Sequence, residues 1–433
     1  AFFALFFIHS FFSYSSVPEN QNWKDFFSDK QIWDMGPINR IAAKNDKLFV
    51  SGFFSLRRFD SLRFNGIAEL KDSVWLTLGN GDSAGIKGFL PFINDILIKD
   101  SLLIVVGLFD SAGNMPARNI AYWNINSRQW IPKGYGTNGG ITSIEAINDR
   151  FYIAGRFDTL TTTTDTIYSN IVKFSGNQWD SLSIGLNNTV LDMAAHNNLL
   201  YVVGSFDSIG VIPAKGIGIW DDSLGTWATF GNNGPLGIVS TVCKVGNDIY
   251  FGGEFDFLKT GNDTIPCKNI ARWNGASWDT LVNGIDGEIF EMKTDGENLF
   301  VAGSFSKLFD DTLNCQNIVS WDGANWHSFG SGTNEFCYSV EPKGDTLFVG
   351  GAFYFTGDKL AERIGIWNID NLYYHKLPKD NLENIHIVEN NIKIKCFPNP
   401  SSNEATIEFY NNLEGVIERS EERRVGKECR SRW

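Results

Sequence analysis

Residues 248–278 read DIYFGGEFDFLKTGNDTIPCKNIARWNGASW. An apolar strand, Ile249–Tyr250–Phe251, runs into glycine and then Phe255. A polar loop follows, then a second strand ending on Trp273, and a tight Asn274–Gly275 turn leads to Trp278. Asn-Gly pairs tolerate positive φ and suit short reversals between antiparallel strands. The same order of residue types recurs along the chain. The Gly-x-Phe anchor stands at Gly52, Gly107, Gly155, Gly204, Gly253, Gly303 and Gly351, with steps of 55, 48, 49, 49, 50 and 48 residues.

A constant period near 50 residues, with short strands in each unit, signals stacked sheets rather than a single core. Every anchor is preceded by an apolar strand. It is followed by an aromatic or Leu at Leu70, Trp123, Phe174, Trp220, Trp273, Trp321 and Trp367. A second aromatic comes five or seven residues later, at Trp75, Trp130, Trp179, Trp227, Trp278, Trp326 and Tyr374. Four short antiparallel strands cannot bury both of their own faces. Seven such sheets around an axis bury each face against a neighbour and leave only short edges. The expected fold is therefore all-β, a seven-bladed β-propeller with four antiparallel strands per blade over residues 38–378. These fourteen positions are expected to pack as core. An irregular insertion at 81–99 accounts for the long first step. Gln31–Ile32–Trp33–Asp34 resembles a blade's closing strand and is expected to latch the last blade within the segment 17–37.

The chain has 433 residues, a formal charge of −13, 14% aromatic residues, 43 Gly and 12 Pro. An acidic chain without a basic patch makes nucleic acid an unsuitable partner. Residues 1–16, AFFALFFIHSFFSYSS, are too short to span a bilayer. They read as a secretory signal whose start is missing, so no transmembrane segment is expected.

Trp123/Trp130, Trp220/Trp227 and Trp367/Tyr374, each after a strand ending in Gly, resemble Kelch-type (galactose-oxidase-like) propeller repeats. The double glycine of that pattern occurs only at Gly252–Gly253 and Gly350–Gly351. The longer unit, with N-I-A-R-W and W-x-x-L-x-x-G, is similar to propellers secreted by Bacteroidota. After a polar linker at 379–391, Phe397–Pro398–Asn399–Pro400 followed by Thr406–Ile407–Glu408 resembles the opening of a type IX secretion C-terminal sorting domain, incomplete and β-rich over 392–418. That resemblance implies secretion to, or attachment at, a Gram-negative outer surface, with the type IX machinery as a partner. Residues 419–433, RSEERRVGKECRSRW, resemble translated sequencing adapter and are set aside as an artefact.

No chemical constellation stands out. The five histidines lack metal-ligand spacing, and no C-x-x-C, G-x-S-x-G, P-loop or EF-hand loop is present. The His and Tyr ligands of galactose-oxidase-like copper sites find no matching set. No catalytic, cofactor or metal residues are assigned. Cys267 and Cys315 sit at one repeat position, six residues before Trp273 and Trp321, on neighbouring units. They are the candidate disulfide pair if the compartment is oxidising. Asp followed by Ser or Thr and an apolar residue occurs fourteen times. It resembles the O-glycosylation acceptor of Bacteroidota, with Ser111, Thr159, Ser208, Thr264 and Thr312 as candidates. The same pattern also follows from turn chemistry repeated in one register. The functional expectation is a binding scaffold for a glycan or protein ligand, using variable loops on one face. The alternatives are a glycan-active hydrolase or lyase with loop carboxylates near the axis, and a passive surface-layer module.

Overall fold

The computed structural model describes residues 22–24, 36–54, 65–71, 74–80, 84–132, 136–162, 165–175, 178–281 and 284–369. It also describes the backbone of 386–389, 392–398 and 405–411. The chain divides into two compact units, Ala1–Ile369 and Asp370–Trp433. Among the described residues it is all-β, without an α-helix. No helix is long and apolar enough to cross a membrane.

In the first unit, seven antiparallel meanders follow one another along the chain. Their inner strands are Ile38–Lys44, Phe92–Lys99, Ile141–Ile147, Val190–His196, Gly234–Val245, Glu288–Thr294 and Cys337–Lys343. Each inner strand packs on the next, and the seventh packs on the first. Phe92–Lys99 is thus the inner strand of the second sheet. The irregular segment expected to run to Lys99 ends before Phe92, and it carries Phe89, 94% exposed.

All seven inner strands carry a register shift at the same step, for example between Ile289 and Glu291. Opposite each shift stands the anchor glycine. A Cβ there would lie 2.1 Å from the Glu288 carbonyl oxygen at Gly303 and 2.0 Å from that of Phe92 at Gly107. The anchor glycine is therefore a steric requirement of a β-bulge, which re-aims the residue that follows it. The anchor Phe is buried in every repeat, from Phe54 to Phe353.

The aromatic pairs pack as core. Trp123–Trp130 and Trp321–Trp326 have centroids 5.1 Å apart, and Trp220–Trp227 and Trp273–Trp278 have centroids 5.4 Å apart. The second Trp also reaches back to the previous sheet: Trp130 Nε1 donates to Leu78 O at 2.9 Å and Trp227 Nε1 to Leu182 O at 3.1 Å.

The seventh sheet has three strands of its own. Its outer position is taken by Trp23, which bridges Trp367 in antiparallel register while Lys24 N donates to Ile366 O at 2.9 Å. The Trp23 ring stands 4.9 Å from that of Trp367, and its Nε1 donates to Phe329 O at 3.0 Å. Both contacts repeat what the second Trp does in other sheets. Trp23, within the segment 17–37 expected to latch the last sheet, thus provides a bridge at its outer edge. Gln31–Asp34 and Tyr374 lie outside the described residues.

The second unit contains a three-stranded antiparallel sheet, His386–Glu389, Ile392–Pro398 and Ala405–Asn411. Its first strand falls within the segment expected to be a linker.

Candidate functional site

The bulges organise the axis. The residue just past each shift is Arg40, Asp95, Ser143, Asp192, Thr241, Glu291 or Ser339. Carboxylates stand on the second, fourth and sixth sheets, hydroxyls on the third, fifth and seventh, and Arg40 on the first. Each carboxylate staples the next sheet. Asp95 accepts from Ile144 N at 2.9 Å, Asp192 from Val242 N at 3.0 Å, and Glu291 from Val340 N at 2.8 Å. The hydroxyls join in: Thr241 Oγ1 donates to Asp192 at 2.9 Å and Ser339 Oγ to Glu291 at 2.8 Å. Ile41 N donates to Ser339 Oγ at 3.0 Å, and Arg40 Nε lies 3.4 Å from Glu291, tying the last sheets to the first.

Arg40, Asp95, Asp192, Thr241 and Glu291 line an axial cavity of about 330 Å³ together with Glu145 and Lys293. Burial pushes the Glu145 carboxyl up to about 7, against the opposing hydrogen bond from Ala146 N. Burial pushes Glu341 up to about 7 as well, against the nearby Lys293 charge. Burial would lower the Lys293 ammonium, but Glu291, Asp95 and Glu341 outweigh it and hold the pKa above its ordinary value.

These shifts set a pH dependence. Between about 4.5 and 7 the folded chain keeps protons on Glu145 and Glu341 that the unfolded chain has lost. Stability from this pair is complete below the unfolded value and lost as pH rises through about 7. Urea midpoints measured across that range should fall with rising pH, by up to roughly 7 kcal/mol in unfolding free energy for the two groups together. The Glu145→Gln/Glu341→Gln double variant should flatten the slope, and an unchanged slope would remove these two groups as its source.

A second concavity, of about 690 Å³, opens between the hairpins of the third and fourth sheets. It is lined by Arg156, Asp158, Tyr168, Gly185 and Asn188, among others. Tyr168 is 81% exposed. Neighbouring amides are committed to the fold. Asn170 Nδ2 donates to Leu186 O and to Asn188 O, both at 2.8 Å, and Asn187 Oδ1 accepts from Asp207 N at 3.1 Å.

The candidate glycosylation residues fall into two groups. Ser111, Thr159 and Ser208 begin short strands at one repeat position and are half-buried. Thr264 and Thr312 are exposed, and Thr312 Oγ1 donates to Asp310 at 2.6 Å. The expected Cys267–Cys315 disulfide is not formed. Both are free, buried thiols in separate apolar clusters, each pushed up to about 12 by burial. Equivalent positions on adjacent sheets point into different interfaces, so their sulfurs do not meet. No group of three or more His, Cys, Asp or Glu among the described residues is arranged to hold a metal.

Sequence reasoning missed two sets of residues. One is the axial staples, whose signal is their constant place two residues after the Ile, Val or Cys that pairs with each anchor glycine. The other is the Asn that starts N-I-A-R-W and its equivalents. Asn119, Asn269 and Asn317 are buried with φ of 69°, 63° and 63°. Asn269 Oδ1 accepts from Phe255 N at 3.1 Å, while its Nδ2 donates to Ile285 O and Gly287 O at 2.9 Å.

No family model matches the chain, and no curated protein matches it. Among solved structures, it is similar to the computationally designed Ika8 protein, at a TM-score of 0.46 and 13% identity, over 78% of this chain and 98% of that one.

Proposed function

We propose that the first unit is a seven-bladed β-propeller of an exported protein, acting as a scaffold that binds a glycan or protein ligand at one end. The cyclic packing of seven inner strands and the closing Trp23 bridge support the propeller. The apolar N-terminal run and the Phe397–Pro398–Asn399–Pro400 segment support export by the type IX route and placement at the outer surface. In a four-stranded meander, the connections between second and third strands share one end with the links between sheets. That end carries the concavity beside Tyr168 and the exposed Phe53, Phe257, Phe309 and Tyr354.

The single observation carrying the binding role over catalysis is the occupancy of the axial carboxylates. Asp95, Asp192 and Glu291 spend their lone pairs on backbone N–H groups of the next sheet. A hydrolase or lyase remains the second reading because Glu145, poised near neutrality, lines the axial cavity, with Glu341 similarly raised nearby beside Lys293. The third is a passive surface-layer module.

The full chain applied to an oligosaccharide array, with the eluate analysed for cleaved product, separates the three. Saturable binding without product is expected. Product formation that Glu145→Gln and Glu341→Gln abolish would establish the enzyme instead, and neither binding nor product would leave a protein ligand or the structural module.

A further inference from the structure

Four glycines occupy one repeat position, six residues after the second aromatic of their sheets: Gly136, Gly185, Gly284 and Gly332. Three of them are enforced by the fold. A Cβ would lie 2.3 Å from Arg118 O at Gly136, 2.6 Å from Lys268 O at Gly284 and 2.1 Å from Gln316 O at Gly332. The last two also have φ of 47° and 68°. Gly185 differs. Its φ lies outside the left-handed region, and a Cβ would meet only Asn170 Oδ1 at 3.8 Å and Ser169 Oγ at 3.9 Å. Neither backbone geometry nor packing demands glycine there. Gly185 lines the 690 Å³ concavity, and its lack of a side chain leaves that space unfilled.

The groups around that space are complementary in kind. Tyr168 presents a broad ring to solvent at the wall. Arg156 lines the same space, and its guanidinium makes no ion pair among the described residues. The chain is acidic overall, and Asp158 on the same lining accepts from Asn138 Nδ2 at 2.5 Å, so Arg156 is the cationic side chain among the described lining residues. The planar fork of Arg matches carboxylate and sulfate oxygens in pairs. An aromatic face with a few placed polar groups in an open trough suits a ring that is apolar on one side and hydroxylated at its edge. We propose that this trough, between the third and fourth hairpins, is a subsite for an acidic pyranose, a uronate or sulfated sugar. In it Tyr168 lies against the ring, Arg156 pairs with the anionic group and Gly185 leaves the depth for both.

This assignment rests on the binding role proposed above, and the experiment separates the two. The full chain and three variants, Tyr168→Ala, Gly185→Leu and Arg156→Gln, are titrated against immobilised neutral, uronate-containing and sulfated oligosaccharides. Urea midpoints are recorded for each. The parent should bind the acidic sugars. Tyr168→Ala and Gly185→Leu should weaken that binding by about ten-fold or more, with midpoints unchanged because both positions have room for the change. Arg156→Gln should erase the preference for acidic over neutral sugars. Parent binding that all three variants retain would overturn the trough and leave the scaffold standing. A parent that binds no sugar of any class would overturn the trough and the glycan ligand together.

Discussion

Trp23→Ala is expected to lower the unfolding free energy by roughly 3–5 kcal/mol, the range for removing a fully buried Trp. Trp23 is 1% exposed and edge-on to Trp367, whose ring also meets Phe329 at 5.2 Å. Truncation empties that cluster, strands the Phe329 carbonyl and loosens the only described strand contact on the outer edge of Ile364–Asn368. A bared edge strand is a template for pairing with another chain. The variant should therefore also form dimers or aggregates that the parent does not. Trp23→Phe keeps a ring but loses the N–H donor and should fall between, at about 1–2 kcal/mol. Urea unfolding read by tryptophan fluorescence, with size-exclusion chromatography, measures both effects. A loss below about 1 kcal/mol would place the latch elsewhere, and residues 31–34 would be the first segment to test.

Asn317→Ala is expected to have an effect of similar size from a different cause. Asn317 Oδ1 accepts from Phe305 N at 3.2 Å, and its Nδ2 donates to Thr333 O and Glu335 O at 3.0 Å. One side chain thus joins the anchor Phe of the sixth sheet to the link that enters the seventh. Alanine would leave a buried N–H without its acceptor and two carbonyls without this donor. Each such buried group costs about 1–3 kcal/mol unless water reaches it. Asn tolerates the left-handed φ of 63° better than Ala, so the backbone adds roughly a few tenths of a kcal/mol. The expected total is roughly 3–5 kcal/mol. Asn317→Gly relieves the backbone strain and should be about 1 kcal/mol milder. Asn317→Asp keeps the acceptor but turns a carboxylate toward two carbonyl oxygens, so it should be no better than Ala. Urea midpoints for the three variants give the ranking. If Gly restored the parent midpoint, the hydrogen bonds would contribute nothing and the position would be purely conformational.

Much of the architecture could be read before any coordinates. The strands before Gly253 and Gly303, the aromatic pairs and the seven-fold spacing are local patterns, and local sterics and hydrophobic periodicity produce them unit by unit. The inner strand at Phe92–Lys99 was not legible, because the exposed Phe89 and Leu90 just before it blur the apolar pattern. The latch was expected within 17–37, and Trp23 there was not singled out, because only the Phe329 carbonyl and Trp367 ring across the closure mark it.

The candidate site was less legible still. Asp192 and Glu291 look like any loop or strand acid in one dimension. Their role depends on bulges that aim them at the next sheet, about fifty residues away in sequence. The Asp-Ser/Thr motif had the opposite fate: its repetition was plain, while the half-burial of Ser111, Thr159 and Ser208 against the exposure of Thr264 and Thr312 was not.

By itself, then, the amino-acid order determined a repeated unit of short strands, a Gly-x-Phe anchor in each unit and two large apolar or aromatic residues after it, since these follow from contacts within about fifty residues. Tertiary structure alone decided which segment completes the seventh sheet, that Cys267 and Cys315 stay apart, and that Gly185 has room for a side chain where Gly136, Gly284 and Gly332 do not. Those outcomes depend on contacts between successive units or across the closure of the chain, where distance along the sequence carries no information about distance in space.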